Sequence, residues 1–357
     1  MSALLEVRDL KVHFATDDGV VKAVDGVSYS VDRGRVLGIV GESGSGKSVS
    51  SMTVMGLTRS SQAEISGEIL LDGKDLLRAS NDDLRRVRGN DIAMIFQDPL
   101  SSLHPFYRVG HQLVEAVQAH QDVSKAKARA RALELLGLVG LPDPRERIDS
   151  YPHEFSGGMR QRVMIAMALV NDPRVLIADE PTTALDVTVQ AQILDLIQRL
   201  QGELDTAIVI ITHDLGVVAE VADDIAVMYA GRIVEHAATE DVFAAPEHPY
   251  TWGLLGSIPR LDVDRHAELV PIPGRPPSLI NTPPGCSFHP RCPYVREAHK
   301  RVDPQLEPVA GRPGHQVACL LGAETRRSLW KALQQGQAPE AARLSARVDD
   351  AAAPVAP

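Results

Sequence analysis

The sequence predicts an α/β fold: a mostly parallel sheet interleaved with helices, an antiparallel β subdomain ahead of it, a helical subdomain inserted into it, and a small irregular C-terminal module. Three observations carry this. Short apolar runs at 36–40, 175–178 and 207–211 each end in Gly, Asp or Thr-His; such runs mark strands buried on both faces of a parallel sheet, whose ends present loops to a ligand. The intervening stretches at 125–140 and 188–203 space their apolar residues as helices do. From Pro246 to Pro284 prolines crowd the chain, breaking helical and strand ladders alike.

In chain order, residues 1–35 alternate apolar and polar positions, as in Leu5-Glu6-Val7 and Val27-Ser28-Tyr29-Ser30-Val31, which predicts the antiparallel strands. The helical insertion spans about 98–160, within one domain covering 1–245. Residues 246–336 read as a second, irregular module rather than a continuation of the sheet. The Ala- and Pro-rich end, 337–357, is expected to be disordered. No internal repeat is present, so a second copy of the core domain is not expected within the chain.

The 357 residues carry a formal net charge of −10, with 44% hydrophobic and 24% charged residues, which is ordinary for a globular protein. No run reaches the roughly 18 apolar residues that span a bilayer, and charges interrupt the first residues, which suits a secretory signal poorly. A cytoplasmic chain reaching a membrane only through a partner is expected. The acidic balance argues against nucleic acid, whose binding rests on basic side chains. The three cysteines, Cys286, Cys292 and Cys319, are an odd count confined to one stretch, which argues against a disulfide framework.

Residues 41–48 read Gly41-Glu42-Ser43-Gly44-Ser45-Gly46-Lys47-Ser48 directly after an apolar strand, the G-x-x-x-x-G-K-S phosphate loop of the P-loop NTPases. Glycines let backbone N–H groups turn inward around phosphates, and the following helix adds its N-terminal dipole. Lys47 is expected on the terminal phosphates and Ser48 on Mg²⁺. The strand at 175–178 ends in Asp179-Glu180: Asp179 is expected to hold Mg²⁺, and Glu180 to polarise the attacking water as general base. His213 ends another strand and is expected to sense the γ-phosphate. Gln97 ends the run 92–96, from where it is expected to reach Mg²⁺ or the attacking water. Ser156-Gly157-Gly158 precedes a helix and makes a second phosphate-binding N-terminus. Two such termini in one chain are explained by a head-to-tail pair that sandwiches ATP between the loop of one subunit and the Ser-Gly-Gly turn of the other.

In this order, the loop at 41–48, Gln97, Ser156-Gly157-Gly158, the strand ending at Asp179-Glu180, Ala184-Leu185-Asp186 and His213 resemble the ATPases of ABC transporters over about residues 4–245. The resemblance implies that Phe14 stacks on adenine and that Asp186 contacts the opposite subunit. The family usually has Leu before the serine and Gln after the glycines; Phe155 and Met159 stand there in this chain, leaving the serine and the backbone donors intact. Non-transport ABC ATPases acting on DNA or ribosomes carry long insertions or two fused ATPase domains, and neither occurs here.

Glu247-His248-Pro249-Tyr250-Thr251, Ile272-Pro273-Gly274-Arg275-Pro276-Pro277, Pro284-Gly285-Cys286-Ser287-Phe288-His289-Pro290-Arg291-Cys292-Pro293 and Phe96-Gln97-Asp98-Pro99 are similar to the oligopeptide/dipeptide importer ATPases, including nickel and glutathione relatives. That implies a second, related ATPase subunit in a heterodimer, two integral-membrane permease subunits, an extracytoplasmic substrate-binding protein, and a place on the cytoplasmic face of the membrane. Family members often carry four cysteines in this module that can hold an iron–sulfur cluster. Cys286, Cys292 and Cys319 match three of them, and His299 stands at the fourth. Three alternatives follow: a Cys₃His [4Fe–4S] site, a Cys₃His zinc site, or thiols packed in a small core. His289 and His315 are alternative ligands, read as surface residues.

Overall fold

The computed structural model describes residues 3–98, 102–183, 186–257 and 272–345. Ala184, Leu185, the 258–271 stretch of the proline-rich region and the end beyond 345 lie outside the described residues.

Strands β1 (Leu5–Thr16), β2 (Gly19–Val31), β4 (Ala63–Leu71) and β5 (Lys74–Asp75) form an antiparallel sheet in the order β2-β1-β4-β5. The central sheet contains β3 (Val36–Val40), β6 (Ile92–Ile95), β7 (Val175–Asp179), β8 (Ala207–Thr212), β9 (Asp224–Tyr229), β10 (Arg232–Ala238), β11 (Glu307–Val309) and β12 (Arg312–Val317). Their order is β11-β12-β10-β9-β3-β8-β7-β6. The five from β9 to β6 are parallel.

These parallel strands read as unbroken apolar runs because each is covered on both faces. Along β7, Val175 and Ile177 join the core beneath the antiparallel sheet. Leu176 and Ala178 point the other way, into the core shared with the helical subdomain. That subdomain comprises the helices Val109–Gln118, Lys125–Leu138 and Gly157–Ala168 with a short turn at Pro144–Arg147. Among the described residues, no helix is long and apolar enough to cross a membrane.

The C-terminal module departs from expectation in two ways. It continues the central sheet: β12 pairs antiparallel with β10 (Glu235 opposite Val317) and β11 pairs with β12. Pro308 sits in the edge strand, where a missing N–H costs no ladder bond to a further strand. The tail expected to be disordered from 337 instead forms a helix over Pro339–Ser345. Ala342 of that helix is buried in the core of the module, and proline at the first helical position is preorganised for the turn.

The module is fixed by a buried polar knot. Glu235 on β10 is fully buried and accepts from Glu247 N (2.6 Å), His248 N (3.0 Å), Thr251 Oγ1 (2.5 Å) and His315 Nε2 (2.7 Å). His315, read from sequence as a surface residue, is thus a core residue. Glu247 in turn pairs with Arg326 at 2.6 Å and with Arg312. Buried charges persist only when so paired.

Candidate active site

The phosphate loop leaves the C-terminal end of β3 and runs into the helix Lys47–Val54, whose N-cap is Gly46 at φ 101°. A Cβ at Gly46 would lie 2.1 Å from Ala23 O, and one at Gly41 2.1 Å from Met228 O. The loop is therefore pressed against β2 and β9, and only glycine permits its curvature. Lys47 is buried, with Nζ donating to Gly41 O (2.7 Å) and Glu42 O (3.0 Å). Burial lowers its pKa, while the carboxylates of Glu180, Asp179 and Glu42 pull the other way. Ser43 and Gly44 at the tip are exposed and Ser45 is buried.

Ser48 Oγ donates to Asp179 Oδ1 at 3.0 Å. Burial raises the pKa of Asp179, the Ser48 bond and Lys47 lower it, and Glu180 adds to the rise. A hydroxyl and a carboxylate oxygen side by side are the hard donors that suit Mg²⁺, with remaining positions left for phosphate oxygens and water. The ion there would neutralise charge on the phosphates.

Glu180, the next residue, takes φ 48°, a conformation few side chains adopt. Its N–H donates to Ile211 O at 2.8 Å, which fixes it against the end of β8. Its Oε2 accepts from Gln97 Nε2 (2.9 Å) and Thr183 Oγ1 (2.8 Å), and its Oε1 lies 3.4 Å from His213 Nδ1. Three strand ends thus converge on one carboxylate. Gln97 bonds to this carboxylate rather than to the Ser48–Asp179 pair. The arrangement suits abstraction of a proton from water attacking a phosphoryl group seated over the loop.

The Ser156 side chain caps the helix Gly157–Ala168, accepting from Met159 N at 3.4 Å, so Phe155 and Met159 leave the cap intact. Ser156 and Gly157 are exposed, while a Cβ on Gly158 would come within 2.9 Å of Val189. Asp186 caps the helix Val187–Leu204 through Val189 N at 2.9 Å, which sets the Ser-Gly-Gly turn against the start of that helix. Phe14 is half-buried on β1 against the core below the antiparallel sheet.

Sequence reasoning passed over two residues. Thr183 is the second donor to Glu180. Gln161, buried on the Gly157–Ala168 helix, donates to Pro181 O at 2.6 Å and ties the Ser-Gly-Gly helix to the residue after Glu180. Position i+3 from a strand-end carboxylate signals Thr183; nothing local signals Gln161.

Of the three alternatives for the cysteines, the described residues favour packing in a small core. Among the described residues, no grouping of three or more His, Cys, Asp or Glu side chains is arranged to hold a metal ion. Cys286 and Cys292 are buried among Tyr250, Trp252, Phe288 and Leu321, with Cys319 half-buried beside them. Burial raises the pKa of the Cys286 and Cys292 thiols and pushes that of Cys319 up to about 12. His299 Nδ1 accepts from Arg296 N at 3.0 Å, and its Nε2 is buried without a partner, as is that of His236. Among the described residues the thiols pack as small apolar side chains do in a core.

Comparisons with known proteins agree with the geometry. A family model described as ABC transporter matches residues 24–183, and one described as the C-terminal region of oligopeptide/dipeptide transporters matches 234–298. The dipeptide transport ATP-binding protein DppD of Bacillus subtilis is 54% identical over 85% of this chain and 91% of its own length. The oligopeptide transport ATP-binding protein OppD of Salmonella typhimurium is 51% identical over 90% of this chain and 95% of its own. Among solved structures, a dimeric bacterial ABC transporter cassette superposes with a TM-score of 0.59 at 26% identity, covering 66% of this chain and 98% of that one. A cassette of the cbiONQ complex from Clostridium perfringens gives 0.58 at 32% identity, over 69% and 92%. With relatives above 50% identical over most of both chains and both family models matched, this chain belongs to the ABC transporter family, among the ATP-hydrolysing subunits of its oligopeptide/dipeptide branch.

Proposed function

We propose that this chain powers peptide import by closing on ATP against a second, related ATPase subunit and reopening on hydrolysis, driving two permease subunits from the cytoplasmic face of the membrane. The observation that carries the ATPase half is the Glu180 carboxylate, held by Gln97 and Thr183 beside the Ser48–Asp179 pair. Lys47, Ser48, Asp179, Glu180, Gln97 and His213 act from this chain, with Phe14 on the adenine side. Ser156, Gly157, Gly158 and Asp186 face the partner's nucleotide.

A groove of about 580 Å³ supports the permease contact. It is lined by Met55, Met94, Phe96, Met164, Met167 and His120, and Phe96 is the neighbour of Gln97. Methionine-rich apolar surface accommodates a partner helix, and a helix seated there would feel the Gln97 loop move as nucleotide comes and goes. The peptide substrate class rests on the names of the relatives and on the C-terminal match. Isolating the complex with its permeases and binding protein and measuring which solutes stimulate its ATPase tests this. Stimulation by peptides is expected; stimulation by nickel or glutathione alone, or co-purification with ribosomes in place of permeases, overturns it.

A further inference from the structure

The C-terminal module reaches back across the fold to the second residue of the phosphate loop. Arg291 donates to both carboxylate oxygens of Glu42, Nη1 to Oε2 at 2.6 Å and Nη2 to Oε1 at 2.9 Å. The backbone N–H of Glu42 donates to Tyr250 Oη at 2.8 Å. Arg291 is itself held: its side chain is only 4% exposed, Nε donates to Pro273 O at 2.8 Å, and the guanidinium lies 5.8 Å from the centre of the Tyr229 ring. Tyr229, Tyr250 and Phe288 pack ring against ring at 4.7 to 5.4 Å, giving both grips a rigid footing. Forked arginine–carboxylate pairs fix geometry as well as charge.

Glu42 matters to the nucleotide site for two reasons. Its carbonyl is one of the two backbone oxygens that accept from Lys47 Nζ, with Ser45 Oγ further off at 3.5 Å, so the placement of Glu42 bears on that of the lysine. Its carboxylate also brings a negative charge to a loop built for anions, and Lys47 feels that charge. Left unpaired, it would repel a polyphosphate. We propose that Arg291 and Tyr250 are positioning residues of the nucleotide site: the C-terminal module neutralises and braces Glu42 so that the loop accepts the phosphates of ATP. Docking of the module is then a condition for tight nucleotide binding, and by linkage nucleotide favours the docked module. The proposal rests on ATP binding at this loop and is independent of what the transporter carries.

The test measures the affinity of the full-length chain for a fluorescent ATP analogue. Wild-type binding comes first, since its failure would strike at the nucleotide reading and not at the brace. Arg291→Gln, which leaves the carboxylate unpaired, is expected to weaken binding about tenfold, less at high salt, where the repulsion is screened. Adding Glu42→Gln to that variant is expected to restore affinity to within about threefold, because the unpaired charge is gone. A merely structural arginine gives no such rescue. Arg291→Lys keeps the positive charge but loses the fork, and is expected to lose less affinity than Arg291→Gln; it serves as the deciding variant should Arg291→Gln not fold, with its deficit expected to shrink when Glu42→Gln is added. Wild-type affinity in folded Arg291→Gln, failure of the double variant to recover, or a deficit in Arg291→Lys that Glu42→Gln leaves unchanged overturns the proposal.

Discussion

Glu180→Gln separates chemistry from structure at this site. Both strong donors to the side chain, Gln97 Nε2 and Thr183 Oγ1, meet the same oxygen, Oε2. A glutamine can keep its carbonyl oxygen there and turn its amide toward His213, near the position of Oε1. The donors stay satisfied, so folding stability should change by less than about 1 kcal/mol. What disappears is the base. General-base catalysis contributes roughly 10²- to 10⁴-fold, about 2.7 to 5.4 kcal/mol of barrier. The assay is phosphate release at saturating ATP by the assembled transporter, with the corresponding carboxylate of the other ATPase subunit also replaced so that only this site is read. ATP affinity and melting temperature are followed in parallel. Turnover should fall at least a hundredfold with affinity intact. A loss below tenfold, or a matching loss of ATP affinity, would refute the assignment.

Other perturbations follow from the same contacts. Burial raises the pKa of Asp179 in the folded protein, so its charge opposes folding at pH above that folded value, and the opposition fades as pH falls toward the unfolded one. Asp179→Asn should therefore raise the melting temperature of the nucleotide-free chain at pH 7 to 8, with the gain vanishing near about pH 4, while weakening magnesium-dependent ATP binding; destabilisation at neutral pH would count against it. Gln161→Leu leaves Pro181 O without its buried donor and should cost about 1 to 3 kcal/mol, lowering turnover more than ATP affinity, as steady-state kinetics would show. Glu235→Leu strands four donors and should cost about 3 to 5 kcal/mol in denaturant unfolding. Cys286 and Cys292 should resist alkylation until the chain unfolds, because burial keeps their thiols protonated; rapid labelling of the native chain would contradict that packing.

Legibility in the sequence followed the range of the interactions. The phosphate loop and the Asp179-Glu180 strand end are local patterns, and their chemistry could be read residue by residue. Convergence of Gln97 and His213 on Glu180 joins residues 83 and 33 positions away; only their order along the chain hinted at it. Contacts set by packing left no local trace. Gln161 looks like any helix residue until its side chain is seen under Pro181, and Arg291 meets Glu42 across 249 positions. Proline density suggested an irregular module, yet β11 and β12 join the sheet, because an edge strand tolerates Pro308. The Ala-Pro composition of the tail concealed the Pro339–Ser345 helix, whose Ala342 contributes to a core. The family resemblance left the cysteines as metal ligands or packed thiols, and among the described residues they lie against Tyr250, Trp252 and Phe288, a contact no local pattern announces.

The division of each reaction chamber between two chains can be tested by photolabelling. An ATP analogue with a photoreactive γ-phosphate, bound to the assembled transporter, should label residues 155–162 of this chain. That labelling should persist in Lys47→Ala and be lost when the phosphate-loop lysine of the partner ATPase is replaced. Labelling of 155–162 that vanishes with Lys47→Ala and ignores the partner's lysine would mean the Ser-Gly-Gly turn serves its own loop, contradicting a nucleotide shared between subunits.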